Sequence, residues 1–423
     1  MNRHFGICLL VGLQLFSTNA LLADNWSGFR GNRGDGVSAE TRMPLSWSPT
    51  SNILWKTPLP GPGSSSPILW ENRLFLTQSL DQKGKNRAIL CLDALSGREL
   101  WRRIFPFEGN EPTHSTNPYC SATPATDGKV VISSFGSGGV TCHDLEGKEL
   151  WKKDLGSFVH IWGNASSPVI VGERVFLSCG PGERTFLIAL SKASGEKLWS
   201  HEELGGKASL EKGEKWIGSW STPLLHKVGE KSQLVMSWPG AIKGHGPETG
   251  KVLWSAQGLT DLVYTSPVAN REVIVAMSGY GGAALAIRTE GTGDITQSHR
   301  LWHHPKNPQR IGSGVVHGDH LYMANGGPGT LQCFHLKTGK DLWEGKRVTE
   351  ACWASTVLVG DKLLVTEQNG QTTILVASPQ YKVLAKNSLK EHTDASPAIA
   401  NGRIFIRTYQ HLWCIGEKET RRE

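Results

Sequence analysis

Short apolar runs recur along the whole chain, and each is bounded by a polar or glycine-containing turn. Residues 121–155 carry one complete copy of the pattern, SATPATDGKVVISSFGSGGVTCHDLEGKELWKKDL. Each run in it has the alternation or the β-branched bias of a strand, and the copy ends in a Leu-Trp pair. Four strands in one repeat predict a blade of a β-propeller, so helix should be scarce.

The number of blades can be counted from two ends of the repeat. The opening motif, usually Ser/Thr-Pro, occurs at Ser66, Thr123, Ser167, Thr222, Ser266 and Ser396, with degenerate copies at Gly314-Val315 and Ser355-Thr356. The closing strand occurs at Trp55, Trp101, Trp151, Trp199, Trp254, Trp302 and Trp343, with a degenerate copy around Leu384. Both counts give eight blades.

The two counts are out of phase by one strand. The segment Asn52–Leu59 is a closing strand that precedes any opening strand, whereas the last repeat stops after its third strand, which contains Trp413. The sequence therefore predicts an all-β fold, an eight-bladed β-propeller of four-stranded antiparallel blades over residues 52–418. The N-terminal strand is predicted to complete the last blade, which removes an exposed sheet edge.

The seven tryptophans of the closing strands are predicted to be structural. Each follows a turn such as Ser96-Gly97 or Glu146-Gly147, where glycine provides the positive φ of a bulged hairpin. A ring placed identically in successive blades can wedge between neighbours and fix their angle. A cofactor-stacking role is the alternative, but identical placement favours packing.

The chain is expected to divide into four parts. Residues 1–23 contain Arg3, an apolar run and small residues at Ala20 and Ala23, typical of a secretory signal peptide. Residues 24–51 are expected to cap the propeller side, with Trp26 and Phe29 buried, and residues 419–423 form a polar tail. We therefore expect an exported protein, periplasmic or extracellular, with no integral membrane segment in the mature chain.

The charge distribution and the positions of the cysteines exclude several classes of partner and site. The net charge of +7 becomes +6 without Arg3, and basic residues alternate with acidic ones, which argues against a nucleic-acid partner. Cys91, Cys142, Cys333 and Cys414 occupy the same strand of different repeats, where cysteine is best read as a small buried residue. No C-x-x-C pair, nucleophile elbow or phosphate loop occurs, and His303-His304 would point to opposite strand faces. No catalytic residue and no metal site is predicted.

Five further segments carry a resemblance to a known family. They are NWSGFRGNRGDGVS from Asn25, WKTPLPGPGSSSP from Trp55, MSGYGG from Met277, RIGSG from Arg310 and RIFIRTYQHLWCIGEK from Arg403. With the Leu-Trp strands, they make the chain resemble the pyrroloquinoline-quinone-like repeat family, which contains quinoprotein alcohol dehydrogenases and the barrel-assembly scaffold BamB. The segments look most similar to the exported members from planctomycete-type bacteria.

The resemblance implies the architecture more than the activity. The dehydrogenases carry adjacent cysteines over the quinone and bind calcium through a Glu-Asn-Asp set, but this chain has no adjacent cysteines and no placeable calcium ligands. Pyrroloquinoline quinone and calcium are therefore expected only if the chain is a dehydrogenase, and quinone-dependent alcohol oxidation is not expected. The lipid-attachment cysteine of BamB is also absent: Cys8 lies within the apolar run.

A binding site, if present, should lie where the loops enter the first strand of each blade, at one mouth of the central channel. The candidates, which differ from blade to blade, are Asn117, Tyr119, Trp162, Asn164, Trp216, Trp220, Tyr264, Arg310, Trp353, His392 and Asp394. Such a set could stack a planar or sugar-like ligand, and Arg310 could bind a carboxylate. Alternatively, these side chains only plug the channel.

Three classes of function remain open: a protein-docking scaffold, a small-molecule or glycan-binding module, and a quinone-dependent dehydrogenase. The expected partner is a cell-envelope protein or a small polar or aromatic ligand, bound by a monomer. A wide, flat surface would favour docking, whereas a deep aromatic funnel with converging polar groups would favour ligand binding.

Overall fold

A computed structural model describes residues 25–182, 184–203, 217–348 and 350–417. The signal-peptide and tail predictions and Trp216 lie outside these residues. The described residues form eight main sheets and a single 3-10 helix, Gly136–Gly138. The predicted eight-bladed, all-β propeller is therefore confirmed.

Two strands precede the first blade, and the first four blades follow in chain order. The preceding strands are β1 (Val37–Ser38) and β2 (Ile53–Pro58). Blade 1 contains β3 (Ile68–Trp70), β4 (Arg73–Ser79), β5 (Asn86–Asp93) and β6 (Glu99–Pro106). Blade 2 contains β7 (Ala125–Thr126), β8 (Val130–Ser134), β9 (Val140–Asp144) and β10 (Glu149–Lys153). Blade 3 contains β11 (Val169–Val171), β12 (Arg174–Cys179), β13 (Thr185–Ser191) and β14 (Lys197–Glu203). After β15 (Gly218–Ser219), blade 4 contains β16 (Leu224–Val228), β17 (Lys231–Trp238), β18 (Ala241–His245) and β19 (Val252–Gln257).

The remaining four blades repeat the pattern. After β20 (Leu262–Val263), blade 5 contains β21 (Val268–Ala269), β22 (Val273–Met277) and β23 (Ala284–Arg288); β24 (Gly293–Asp294) then precedes its last strand, β25 (Arg300–His304). Blade 6 contains β26 (Val315–His317), β27 (His320–Ala324), β28 (Thr330–His335) and β29 (Lys346–Arg347). Blade 7 contains β30 (Val357–Val359), β31 (Lys362–Thr366), β32 (Gln371–Val376) and β33 (Val383–Ser388). Blade 8 contains β34 (Ala398–Ala400), β35 (Arg403–Arg407) and β36 (His411–Ile415).

The last blade takes its outer strand from the N-terminal side of the chain. Strand β2 pairs antiparallel with β36, and Lys56 lies opposite Trp413. The sheet order is β2-β36-β35-β34, so backbone hydrogen bonds join the two ends of the propeller. The clasp inferred from the one-strand offset is therefore confirmed.

Some strands depart from the simple repeat. Strand β24 adds to the outer edge of blade 4 and β1 adds to the inner edge of blade 7, both in parallel pairing. In blade 6 the closing strand lies at Lys346–Arg347 and not at Trp343, where the sequence placed it. The Asp341 carboxylate accepts hydrogen bonds from the backbone N–H groups of Cys333 and Trp343 at 3.3 and 3.1 Å. This side chain replaces part of the ladder, because Asp competes with backbone pairing.

Tryptophan indoles connect consecutive blades at the outer side of the propeller. Each of six rings donates its N–H to a carbonyl in the last turn of the next blade, at 2.7–3.1 Å; the pairs are Trp55–Ala94, Trp101–Leu145, Trp151–Lys192, Trp199–Pro247, Trp302–Leu336 and Trp343–Ser378. Five rings also lie against a turn glycine: Gly97, Gly147, Gly195, Gly250 or Gly339. At Gly147, with φ 84°, a methyl group would lie 2.6 Å from Trp101. The structure thus supports packing for these rings.

Trp254 forms a different joint. Its indole N–H donates to Gln233 Oε1 in its own blade at 2.5 Å, and its ring lies over Gly244. The ring still packs within the core cluster shared by blades 4 and 5, next to Ile274 and Ile295. The next blade has a longer segment containing β24 in place of the short glycine turn, which removes the usual carbonyl partner.

Hydroxyl groups connect the blades on the inner side. The backbone N–H of one blade's opening Ser or Thr donates to the hydroxyl of the next, at 2.9–3.0 Å, in the order Ser66, Thr123, Ser167, Thr222, Ser266, Ser313, Ser355, Ser396 and back to Ser66. This hydroxyl ring is closed. It includes Ser313 and Ser355 of the two degenerate openings, so the hydroxyl, not the proline, is the common element.

The N-terminal segment, residues 25–38, closes one end of the channel. Trp26 pairs with Leu69 of blade 1, and the Ser27 carbonyl accepts from Thr126 N–H of blade 2. The Arg30 guanidinium donates to the Gly314 carbonyl at blade 6, and β1 then reaches blade 7. The sequence placed this segment against the propeller side, whereas the structure has it crossing the channel end. Trp26 is 2% exposed and anchors the segment, whereas Phe29, also expected to be buried, is only partly buried.

The seven cysteines in the described ranges are buried and form no disulfide. Cys91, Cys142, Cys333 and Cys414 lie on β5, β9, β28 and β36, the third strand of four blades, as predicted. Burial raises the pKa of each of these four thiols to about 12, so they act as small apolar core residues.

Candidate functional site

One cavity lies in the central channel and opens at the end away from most of the N-terminal segment; a second cavity, of about 680 Å³, lies beside that segment at the other end. The volume of the channel cavity is about 590 Å³, within the range of small-molecule sites. Hydroxyl-ring members including Ser66, Ser167 and Ser266 line its depth, and Phe29 of the N-terminal segment reaches it from below. The channel is therefore a funnel, open at the mouth and obstructed at its inner end.

Aromatic side chains cover one side of the funnel. Trp220 is at the centre of this group. The centroid of its ring lies 6.1 Å from the ring centroid of Trp162 and 5.1 Å from that of Tyr264. His160 packs edge-on against Trp220 at 5.0 Å, and burial lowers its pKa to about 4, so the imidazole is neutral near pH 7. Trp353 from blade 7 and Tyr280 from blade 5 extend this lining.

Hydrogen bonds to backbone carbonyls, in addition to ring packing, fix the positions of the tryptophans at the mouth. Trp220 donates its indole N–H to the Gly163 carbonyl at 2.8 Å, and Trp353 donates to Gly326 at 3.2 Å. The Asn117 amide donates to the Trp162 carbonyl at 2.5 Å, which ties two neighbouring entry loops together. These bonds satisfy the polar edges, so the indole rings supply apolar surface to the cavity.

Asp394 provides the charged group of the funnel. Its Oδ1 accepts from Gln368 Nε2 at 2.7 Å, and its Oδ2 accepts from the Tyr409 hydroxyl at 2.5 Å. His392 Nε2 lies 3.3 Å from Oδ2, and this hydrogen bond raises the pKa of the imidazole. Burial, with Asp394 as a further cause, raises the pKa of Tyr409, so the phenol stays protonated and donates.

The charge of the lining is unbalanced. Among the described residues around the cavity, Asp394 is the single carboxylate, and no lysine or arginine is present. The Asp394 side chain is 4% exposed, so solvent screens it weakly. The funnel therefore combines aromatic surface with an acidic group.

The structure brings together six of the predicted mouth residues: Asn117, Trp162, Trp220, Tyr264, Trp353 and Asp394 all line the cavity. His392 is beside Asp394 with its side chain 45% exposed, at the rim. The other described candidates, Tyr119, Asn164 and Arg310, face elsewhere.

Tyr119 and Asn164 surround a buried ion pair. Arg87 Nη1 lies 2.6 Å from Glu111 Oε2, and both side chains are almost completely buried. The Asn164 amide donates to Glu111 Oε1 at 2.8 Å, and the Tyr119 hydroxyl donates to the Glu111 carbonyl at 2.8 Å. The adjoining void is about 30 Å³, the size of one water, so these residues order the entry loops.

Arg310 is directed into the protein. Its guanidinium donates to Asn307 Oδ1 and Gln332 Oε1 at 3.1 and 3.0 Å and lies over Phe334. Burial lowers its pKa to about 10, which still leaves it charged near neutral pH. The expected use of Arg310 to bind a ligand carboxylate is not available in this geometry.

Several residues that line the cavity were not predicted from the sequence, including Phe29, His114, Tyr280 and Gln309. His114 lies in the long entry loop between β6 and β7, which is rich in proline and polar residues. Tyr280 lies in the MSGYGG segment, and its exposed fraction of 65% marks an unusual aromatic at a loop tip. Loop length and exposed aromatics were therefore usable signals. The repeat pattern gave no signal for Phe29, because this residue precedes the first repeat.

One group of possible metal ligands occurs elsewhere, in blades 3 and 4. Single ligand atoms of His201, Glu203 and His245 lie within 4.8 Å of one another. Lys243 Nζ contacts both Glu203 oxygens at 2.6 and 2.8 Å, and His245 Nε2 accepts from the Trp238 indole at 3.2 Å. An ammonium group already neutralises the carboxylate, so this cluster is better described as a structural polar network. The described residues contain no helix with the length and apolarity needed to cross a membrane.

Comparison with known proteins adds a family and a fold. A family model described as outer membrane protein assembly factor BamB matches residues 85–345. BamB from Moraxella catarrhalis is similar in structure, with 14% identity, a TM-score of 0.61, and 88% of this chain and 99% of that chain covered. Quinohemoprotein alcohol dehydrogenase from Comamonas testosteroni is similar with 12% identity, a TM-score of 0.68, and coverage of 96% and 83%. No curated protein matches the sequence.

Proposed function

The chain belongs to the family described as outer membrane protein assembly factor BamB, and from this premise we propose that it is a non-catalytic propeller that binds a small organic ligand in its central funnel. The family match covers most of the blades, but it leaves open what the channel holds. The cavity supports the more specific proposal.

The observation that carries the proposal is the shape and lining of the mouth. A flat surface would favour docking alone, but the mouth opens into a cavity of about 590 Å³. Trp162, Trp220 and Tyr264 cover one side of it, and Asp394 supplies a polar group opposite apolar surface. Concave, mostly apolar sites with a few placed polar groups are typical of small-molecule binding.

The lining does not fit pyrroloquinoline quinone. The quinone is a tricarboxylate, whereas the described lining residues include the Asp394 carboxylate and no lysine or arginine. Calcium prefers six to eight oxygen ligands with several carboxylates, and the funnel offers one. We therefore derive no redox step for this chain.

A protein-docking scaffold is the second candidate, favoured by the family itself. The structural likeness to Moraxella catarrhalis BamB covers 99% of that chain, although at 14% identity it supports the fold alone. Exposed apolar side chains at the mouth, such as Tyr280 at 65% and Ile161 at 40%, would suit contact with a partner protein. On this view the same mouth would receive a loop of the partner.

We further propose that the mature protein is exported and acts as a monomer in the periplasm or outside the cell. The secretory signal pattern of residues 1–23 supports export, as does membership of an outer-membrane assembly family.

The proposal can be tested with the whole chain and a panel of small cationic, neutral and anionic aromatic or polyol compounds. Ligand-observed NMR should detect binding of some panel members, and Ala165→Trp should abolish it because this residue lines the cavity. Lys227→Trp, on the other end of the channel, is the matched control and should not interfere. Binding that persists unchanged in Ala165→Trp would contradict the proposal, and so would the absence of binding by every compound in the panel.

A further inference from the structure

We infer that the funnel selects an organic cation, such as a quaternary or protonated amine, held between the aromatic wall and Asp394. This inference rests on the proposed function and specifies the chemical class of its ligand. It differs from the sequence-based interpretation, in which Arg310 could bind a carboxylate of the ligand.

The aromatic wall provides the first part of the site. Trp162, Trp220 and Tyr264 form a continuous cluster with centroid separations of 6.1 and 5.1 Å, and Trp353 faces the same cavity. Indole and phenol faces attract a cation within about 6 Å of the ring centroid, most strongly where water is excluded. The ring N–H of Trp220 is already bonded to Gly163, so the indole contributes mainly its apolar surface.

Asp394 provides the second part. Two of its three hydrogen-bond donors, Gln368 and Tyr409, are neutral, and neither cancels the carboxylate charge. The third, His392, is the most distant at 3.3 Å and is half exposed at the rim. A carboxylate has about four acceptor positions, so Asp394 retains capacity for a donor from the cavity.

The remaining lining distinguishes a cation from other ligands. No lysine or arginine among the described lining residues competes for the carboxylate or attracts an anion. An anionic ligand would meet the charge of Asp394 without compensation, in a place that solvent screens poorly. A neutral ligand would gain from the aromatic wall but would gain nothing from the charge.

The test compares three probes of nearly the same shape and different charge. They are choline, its uncharged carbon analogue neohexanol, and the tert-butylacetate anion, titrated by NMR against the whole protein at about pH 8.5, about two pH units above the ordinary pKa of a histidine. We expect choline to bind at least roughly tenfold more tightly than neohexanol, and tert-butylacetate most weakly. Neohexanol or the anion binding as well as choline would overturn the inference while leaving the proposed function intact; no binding by any probe would overturn both.

Variants then locate the effect. Asp394→Asn should weaken choline by roughly tenfold or more and leave neohexanol within about twofold, because the amide keeps the size and loses the charge. Trp162→Leu should weaken both probes and does not depend on the Asp394 network. Asp361→Asn, an exposed carboxylate in the turn of blade 7, is the control and should change neither. Unchanged choline affinity in both Asp394→Asn and Trp162→Leu would place the binding elsewhere and overturn the assignment.

Discussion

The outer joints and the channel mouth both use tryptophan, but for different purposes. At the outer joints, Trp101 and Trp151 repeat one arrangement: the indole donates to the next blade's turn carbonyl, and a turn glycine lies against the ring. At the mouth, the side chain two positions before the opening hydroxyl differs between blades: it is Trp220 in blade 4 and Trp353 in blade 7, but Asp394 in blade 8. Repetition thus marks residues that maintain the ring of blades, and irregularity marks residues that are available for a ligand.

Replacing an outer tryptophan should have the largest effect. Trp151→Ala removes a ring that is 8% exposed, together with its bond to the Lys192 carbonyl, and should lower the free energy of unfolding by about 3–5 kcal/mol. Trp162→Ala, at the mouth, should cost at most about 1 kcal/mol. Urea unfolding of both variants measures the difference. Equal losses would remove the distinction between joint and mouth.

The glycines of the joints should follow next in size. Gly147→Ala combines a positive φ of 84° with a methyl group 2.6 Å from Trp101, so a loss of about 2–4 kcal/mol is expected. Gly318→Ala has a positive φ of 57° with open space around it, and should lose only about 1–2 kcal/mol. The pair separates backbone strain from contact with the indole. A matching loss in both would show that the ring contact contributes little.

The hydroxyl ring should contribute less per residue. Ser266→Ala leaves the buried Thr222 N–H without its acceptor and should cost about 1–3 kcal/mol in thermal or urea unfolding. Ser266→Thr retains the hydroxyl, as Thr123 and Thr222 do naturally, and should cost clearly less. If Ala and Thr are equally destabilising, packing rather than the hydrogen bond explains the position.

The smallest effect should be a dependence on pH at one joint. His143 is buried beside Trp101 and Phe105, and burial lowers its pKa to about 4, from 6.5 for the exposed group. The unfolded chain therefore binds a proton that the folded chain does not, so stability should fall as the pH falls from about 6.5 to about 4. The slope from this residue is at most about 1.4 kcal/mol per pH unit.

His143→Phe keeps a flat ring and should reduce that slope when unfolding is measured at several pH values. His317→Phe, at the exposed last residue of β26, is the control and should leave the slope unchanged. The buried His160 and His245, whose pKa values burial also lowers to about 4, should maintain part of the acid sensitivity. A slope that is unchanged in His143→Phe would show that its imidazole does not contribute.

Much of the fold could be predicted because the repeat encodes local chemistry. Alternating apolar positions specify strands, a glycine turn specifies the hairpin before the closing strand, and the orphan strand before Ser66 requires a partner at the other chain end. The exceptions are also local in origin: Asp341 displaced the closing strand of blade 6 by binding backbone N–H groups. A single Asp in a long apolar pattern does not allow this shift of the closing strand to be predicted.

The site was predicted less completely, because side-chain direction depends on neighbouring blades. The sequence by itself determined the blade number, the clasp and the position of the mouth, since these follow from periodic patterns and chain order. Only the tertiary structure decided that Arg310 turns inward onto Asn307 and Gln332, and that Phe29 reaches the channel. These outcomes depend on burial and hydrogen-bond partners far away in the chain, which no local pattern encodes. The charge of the funnel, and with it the class of ligand, is therefore a property of the folded ring.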